Sequence, residues 1–267
     1  GRVELKVYPA SSLGKEVEIN EGLGIGSVDI IYTGPSFVER YYGPIAISDY
    51  PFIMRDYDHW QKYRESELFS DLSQGYKDAT GSTVAGLVYY GQRHVTSNKP
   101  ILKPSDMEGL KIRVPNSPLM LMFPNAVGAN PTPMAFSEVY LALQQGVVDA
   151  QENPLPTIKF KKFYEVQSNI NLTGHILNSL LIIVSDSAIS RVGDDYAELN
   201  TVLKEAAMKA SDEIYQSEQD LVAWFREQGI TVNEVDKKPF QDAVTPMLTG
   251  DDVPYTLEHF NRLAEIK

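Results

Sequence analysis

The sequence predicts an α/β protein built as two lobes, on three observations. Short apolar or alternating runs of strand length recur between helical patterns along the chain. The stretch Gly109 to Pro154, GLKIRVPNSPLMLMFPNAVGANPTPMAFSEVYLALQQGVVDAQENP, places polar side chains at the ends of two such runs. Finally, Asp194 to Gln228 keeps a helical pattern for ~50 Å at ~1.5 Å per residue. One ordinary core does not need so long a rod, whereas a helix crossing two lobes does. The 267 residues are enough for one large domain or two of ordinary size.

In chain order, Val3-Glu-Leu-Lys-Val-Tyr alternates and stops at Pro9, which predicts a strand. Glu16 to Gly24 predicts a short helix. The glycines Gly22, Gly24 and Gly26 lack the GxGxxG spacing and are read as a helix-to-strand turn, not a nucleotide loop. Val28 to Tyr32 is a buried strand running into Thr33-Gly-Pro-Ser36, and loops at such strand ends carry ligand contacts in α/β proteins. Val38 to Pro51 is loop and short helix, and Asp58 to Leu72 a helix with Trp60, Tyr63 and Leu68 on one side. Ser82 to Tyr90, apolar on both faces, is a central strand, followed by GQRHVTSN. Pro104 to Leu110 forms a short helix or turn.

In GLKIRVP, Leu110, Ile112 and Val114 alternate with Lys111 and Arg113, and Pro115 ends the strand. A helical stretch follows, then ANPTPMAF and a helix from Ser137 closed by Gly146. The strand VVDAQ delivers Glu152, Asn153 and Pro154. Pro156 to Phe163 is loop or helix. Ser168 to Thr173 and Leu180 to Val184 are strands, with His175 and Asn178 between them. The long helix has Val202, Leu203, Ala206, Ala210, Ile214, Leu221 and Phe225 on one stripe, with Asp194 and Asp195 at its positive end and Gly229 at its stop. Ile230 to Val235 is a last strand and Thr256 to Ile266 a last helix.

The formal charge of −12 argues against a nucleic-acid partner, because no basic stripe is present to neutralise phosphates. It also makes each arginine near a cleft informative. With no cysteine, disulfide scaffolds, thiol catalysis and cysteine-held zinc are excluded. No run of 18 apolar residues is written in the chain. No signal peptide is present, so the chain is expected to be cytosolic or a mature form. The four histidines, His59, His94, His175 and His259, have no metal-ligand spacing, and no GxSxG elbow or P-loop occurs. Nothing places Glu138 beside Glu152 as a glycosidase pair would need. No enzyme, no cofactor and no metal is therefore expected.

GLKIRVP, GANPTPMAFSEVYLALQQGVVDAQENP and KFYEV, in fixed order and spacing, closely resemble the solute-binding proteins of TRAP (tripartite ATP-independent periplasmic) transporters. The resemblance runs from GRVELKVYP to about Gly250. It implies the two-lobe periplasmic-binding-protein architecture, with mixed sheets, hinge strands and the long helix as a spine. Lobe one is expected at 1–90 plus 179–218, and lobe two at 91–178 plus 219–267. Family members usually have a strand and helix ahead of GRVELKVYP, so a truncated start is expected here.

By the same resemblance, Arg113 clamps a ligand carboxylate with its flat guanidinium fork; its plain alternative is an exposed arginine at a strand end. Arg93 adds a second cation, or else pairs with an acidic neighbour. Asn153 fixes ligand orientation through an amide that both donates and accepts, or caps a turn. Glu152 supports the site or faces solvent, and Phe136 lies against the ligand or packs in the core. Glu16, Thr33, Gly34 and Ser36 face the cleft from lobe one; His94, Asn116 and Asn178 are further candidates. Some relatives carry an acid where this chain has Gly34, which argues against a bulky polyhydroxy ligand. The expected function is an extracytoplasmic solute-binding protein for a hexuronate or other sugar acid. C4-dicarboxylates and sialic acids are the alternatives, and an enzyme acting on a small carboxylate is the alternative of another class. The implied partners are the membrane subunits of the transporter, the implied place the periplasm, and the implied state a monomer.

Overall fold

The structure, a computed structural model, describes residues 2–267. Among them seven strands form one open sheet: β1 (Ile30–Thr33), β2 (Thr83–Ser97), β3 (Lys111–Val114), β4 (Asn130–Pro133), β5 (Ala150–Pro154), β6 (Asn169–Val184) and β7 (Thr231–Asn233). The order is β1-β6-β2-β5-β3-β4, with β7 also paired to β6. The first helices are α1 (Glu16–Gly24), α2 (Pro35–Val38), α3 (Tyr57–Arg64), α4 (Glu67–Thr80), α5 (Met122–Ala126) and α6 (Val139–Gln144). The remainder are α7 (Leu155–Phe160), α8 (Asp186–Val192), α9 (Tyr196–Glu227), α10 (Lys238–Val244) and α11 (Leu257–Glu265).

The strands β2 and β6 tie the sheet together. They pair antiparallel from Thr83↔Val184 to Ser97↔Asn169. At one end the sheet adds β1 against Leu181–Val184 of β6. At the other end β5 pairs antiparallel with β2, and β3 and β4 follow in parallel. The sequence pattern predicts two separate strands around His175 and Asn178, and a strand that ends at Tyr90. Instead both long strands continue through, and Arg93 stands inside β2. The register slips between Tyr89 and Gly91 and between Arg93 and Val95 absorb the change of direction without ending the ladder. Gly91 makes the first slip possible: its φ is +119°, and an added Cβ would meet Glu218 and Pro154 at 2.6 Å.

Other differences have local causes. The Asp58–Leu72 helix is two helices, because the Ser66 hydroxyl accepts from the Phe69 N–H and starts a new one. The alternating Val3–Tyr8 run forms no strand, and Leu5 and Val7 are exposed. Alternation assigns faces, while a strand also needs a neighbour.

The long helix α9 spans both ends of the sheet. Its Leu199 and Leu203 pack with Ala85, Val184 and Ala188, and its Leu221 and Phe225 pack with Leu155, Phe163 and Ile170. In its first half the buried face is Leu199, Leu203, Ala207 and Ser211; Val202 and Ala206, expected on the stripe, are exposed. The C-terminal helix also departs from expectation. Rather than joining the β3–β5 end with the rest of 219–267, it packs on α3 and α4. His59 Nε2 meets the Leu263 carbonyl at 3.0 Å, and Arg262 pairs with Asp71 at 2.6 Å.

Candidate functional site

A cavity of ≈ 850 Å³ lies between the two ends of the sheet, within the range of small-molecule sites. Glu16 from α1 and Thr33, Gly34 and Ser36 from the β1–α2 turn line it on one side. Arg113, Phe136 and Asn153 line it on the other, and Tyr90, Arg93 and Asn178 rise between them from the long strands. The cavity thus brings together nine of the sequence-predicted site residues. His94 and Asn116 are not among its lining residues: the His94 ring accepts from the Gly174 N–H at 3.0 Å, and Asn116 is exposed.

Arg113 is only 2 % exposed, where the alternation of its strand predicts a side chain facing outward. Its Nε and Nη2 both donate to the Met134 carbonyl, at 3.0 and 2.6 Å. No carboxylate forms an ion pair with it among the described residues. Burial, the largest influence, lowers its pKa to about 10, and the nearby charge of Glu152 acts against that. With one edge of the fork on Met134, the Nη1–Nη2 edge is left to take a carboxylate end-on.

Arg93 is also buried, but it is spent. Its Nε and Nη2 grip the Glu152 carboxylate, Nη2 also donates to the Glu152 carbonyl at 2.8 Å, and Nη1 donates to Asn178 Oδ1 at 2.7 Å. The register Arg93↔Pro154 between β2 and β5 sets this pair. Burial opposes charge on Glu152, yet Arg93 and the His175 hydrogen bond outweigh it and hold its pKa below the usual carboxylate range. Neutral His175 donates from Nε2 to Glu152 at 3.1 Å, and its Nδ1 accepts from Thr173 at 2.8 Å. Phe123 stacks on the ring at 3.9 Å. In the other direction Asn178 Nδ2 donates to Asp49 at 2.6 Å, and the Ser179 N–H donates to the same carboxylate at 3.1 Å. Burial pushes Asp49 up to about 8 against these bonds. A continuous polar chain, Asp49–Asn178–Arg93–Glu152–His175, therefore crosses the central strands β6, β2 and β5 beside the cavity.

The remaining residues are less committed. The Asn153 amide donates to Gln151 Oε1 at 2.6 Å. Phe136 has cations on it: the Arg113 guanidinium at 5.9 Å and the Lys161 ammonium at 4.9 Å from the ring centre. Thr33 Oγ1 accepts from Asn20 at 3.0 Å, and the buried Ser36 hydroxyl has no protein partner. Gly34 has φ −70°, and an added Cβ would meet its neighbours no closer than 3.4 Å. Its backbone therefore does not demand glycine, and the wall simply lacks a side chain there.

Sequence reasoning missed Tyr90, Thr157 and Lys161, all of which line the cavity. A signal for Tyr90 existed, since adjacent tyrosines in a strand point to opposite faces. It also missed the Lys15–Glu138 ion pair, 2.7 Å, which joins the start of α1 to the segment before α6.

The sequence matches the family model of the bacterial extracellular solute-binding proteins, family 7, over residues 1–250. It is 37% identical over 255 residues to the sialic acid-binding periplasmic protein SiaP of Vibrio cholerae, covering 92% of this chain and 77% of that one. The fold is similar to that of a TRAP periplasmic solute-binding protein from Polaromonas bound to D-erythronate, with TM-score 0.92, 30% identity, and 98% and 87% of the two chains covered. It is also similar to a TRAP periplasmic solute-binding protein from Citrobacter koseri with bound D-glucuronate, with TM-score 0.92, 26% identity, and 99% and 88% covered. Against the apo, open structure of that protein the TM-score is 0.86, at 27% identity with 99% and 89% covered.

Proposed function

This chain belongs to the bacterial extracellular solute-binding proteins of family 7, and from that membership we propose that it captures a sugar acid, a hexuronate first among them, for a TRAP transporter. The carrying observation is Arg113. A guanidinium buried beside a cavity without an acid partner is costly unless a ligand supplies the counter-charge. Around it Asn153, Thr33 and Ser36 offer hydrogen bonds suited to hydroxyl groups. The bare wall at Gly34 favours a short hydroxylated acid over a nine-carbon one. The D-glucuronate and D-erythronate bound by two similar structures support the same class.

In this reading the protein binds and does not turn over its ligand. Its histidines have structural partners: His59 on Leu263, His175 on Glu152, and His259 at the start of α11. Lobe one comprises the β1 end with residues 2–90, 179–218 and the C-terminal helix; lobe two comprises 91–178 and the chain from 219 to that helix. The lobes close about the Tyr90–Asn178 crossing, and the closed monomer delivers its ligand in the periplasm to the membrane subunits of the transporter. N-acetylneuraminate is the second reading, favoured by the identity to SiaP.

A thermal-shift screen on refolded, ligand-stripped protein tests this. A hexuronate or related sugar acid should stabilise more than succinate, malate or N-acetylneuraminate. Ligand at a hundredfold over its Kd adds ~2.7 kcal/mol. A larger shift with succinate would reassign the ligand to the dicarboxylates, and conversion of any acid into product would make the chain an enzyme.

A further inference from the structure

We propose that Tyr90 is a ligand-binding residue whose phenolic O–H donates to the same carboxylate that Arg113 holds. The proposal rests on the solute-binding reading above and adds a donor to it. Tyr89 and Tyr90 leave β2 on opposite faces. The Tyr89 hydroxyl turns behind the sheet and donates to Glu218 at 2.7 Å, whereas Tyr90 lines the cavity. There the hydroxyl of Thr157, a buried residue of α7, donates to the Tyr90 oxygen at 2.8 Å. No other hydrogen bond to that oxygen occurs among the described residues, so the phenol's own proton has no acceptor in the protein. Tyr90 is only partly buried and faces the cavity, so that proton is available to whatever fills it.

The charges around Tyr90 identify the acceptor. Arg93 and Arg113 both act on it, and Glu16 acts through charge alone, without a hydrogen bond. Burial, the largest influence, raises the phenol's pKa despite the two guanidinium groups, so it remains a donor at neutral pH. Arg93 is occupied by Glu152 and Asn178, and one edge of Arg113 by Met134. A carboxylate has about four lone-pair sites. The open edge of Arg113 fills two of them, which leaves sites for the unused proton of Tyr90. Thr157 positions the phenol: by donating to its oxygen, it turns the O–H away toward the cavity.

The test uses the whole chain and a panel of D-glucuronate, L-galactonate, D-erythronate, succinate and N-acetylneuraminate, followed by calorimetry with the tightest binder. Tyr90→Phe should weaken that acid roughly ten- to hundredfold, the range for hydrogen bonds to charged groups, while the ligand-free melting temperature stays near that of the wild type. Combined with Arg113→Lys, the losses should be less than additive, because both groups act on one carboxylate. Tyr90→Phe binding within twofold of wild type, with Arg113→Lys impaired, overturns the Tyr90 proposal and leaves the solute reading standing. Strictly additive losses overturn the shared carboxylate. If no acid binds, or Arg113→Lys binds as the wild type does, the solute reading itself fails and takes the proposal with it.

Discussion

Arg93 and Arg113 are both buried, and what differs is what faces them. Arg93 has Glu152 across the β2–β5 pairing, and Arg113 has a peptide carbonyl and open cavity. Removing the acid from a buried pair strands the cation and costs about 3–5 kcal/mol. Glu152→Gln should therefore lower the denaturation midpoint strongly with or without ligand. Arg113→Ala should do nothing comparable to the free protein, since it removes a buried charge whose protein partner is a carbonyl, not an acid. Its effect should fall on binding, and Arg113→Lys should bind almost as poorly. Lysine keeps the charge but not the flat fork, and truncating one side of such a contact costs about 2–5 kcal/mol. Urea melts of the first two variants and calorimetry on the Arg113 variants separate the two roles. A lysine variant of near wild-type affinity would mean that Arg113 is no fork. The sequence marks both arginines as polar residues beside strands but cannot distinguish them. Glu152 is legible only as the neighbour of Asn153 in QENP, and the register that sets it against Arg93 arises from a pairing 59 residues apart.

The bulge at Gly91 is where an element acquires a function that its residues lack singly. The N–H of Gln92, freed from a regular ladder, donates to Glu218 of α9 at 2.7 Å, and Tyr89 donates to the same carboxylate. Burial, outweighing these bonds, pushes Glu218 up to about 7 from 4.5. Between those values the folded protein holds more protons than the unfolded chain, so stability falls as pH rises through the window. Asp49, raised to about 8, acts in the same sense. The buried His94 and His175, held neutral by burial, act in the opposite sense below their ordinary value of 6.5, so melting temperatures should decline between about pH 6.5 and pH 8, and Glu218→Gln should flatten part of that decline, by at most about 1.36 kcal/mol per unit. An identical slope in the variant would show that Glu218 does not titrate there. Gly91→Ala should unfold more easily at every pH, because its positive φ and the contacts with Glu218 and Pro154 both oppose a side chain. At this scale periodicity made α1, α9, the β3 strand and α11 legible. It failed where a long-range partner decides the outcome: at the bulges that keep β2 and β6 continuous, at the Val3–Tyr8 run, and at the one-position offset of the α9 stripe.

At the scale of the molecule, Lys15 and Glu138 join the two sides of the cavity. Lys15 and Glu138 are 123 residues apart and lie 2.7 Å from each other, each about half exposed (50% and 51%). Each holds the other's charge: hydrogen bonding and charge from Glu138 raise the Lys15 pKa, and Lys15 lowers that of Glu138. The shape in which they touch lies nearer the D-glucuronate-bound Citrobacter koseri protein than its open form, by TM-scores of 0.92 and 0.86. If the lobes close as proposed, a contact present only when they are together biases the equilibrium toward closure by its differential energy, and an exposed ion pair does so weakly and in a salt-dependent way. Lys15→Glu, which sets two acids face to face, should increase the radius of gyration of the ligand-free protein in low-salt scattering and speed ligand release a few-fold in stopped flow. Adding Glu138→Lys restores an attractive pair with its sign reversed, so the double variant should return to wild-type behaviour although both residues differ. High salt should erase the difference between the single variant and wild type. Release rates that are the same in all three proteins at low salt would show that the pair has no part in holding the lobes together. A double variant as fast as the single one would mean that what matters is the packing of these side chains, not their charge.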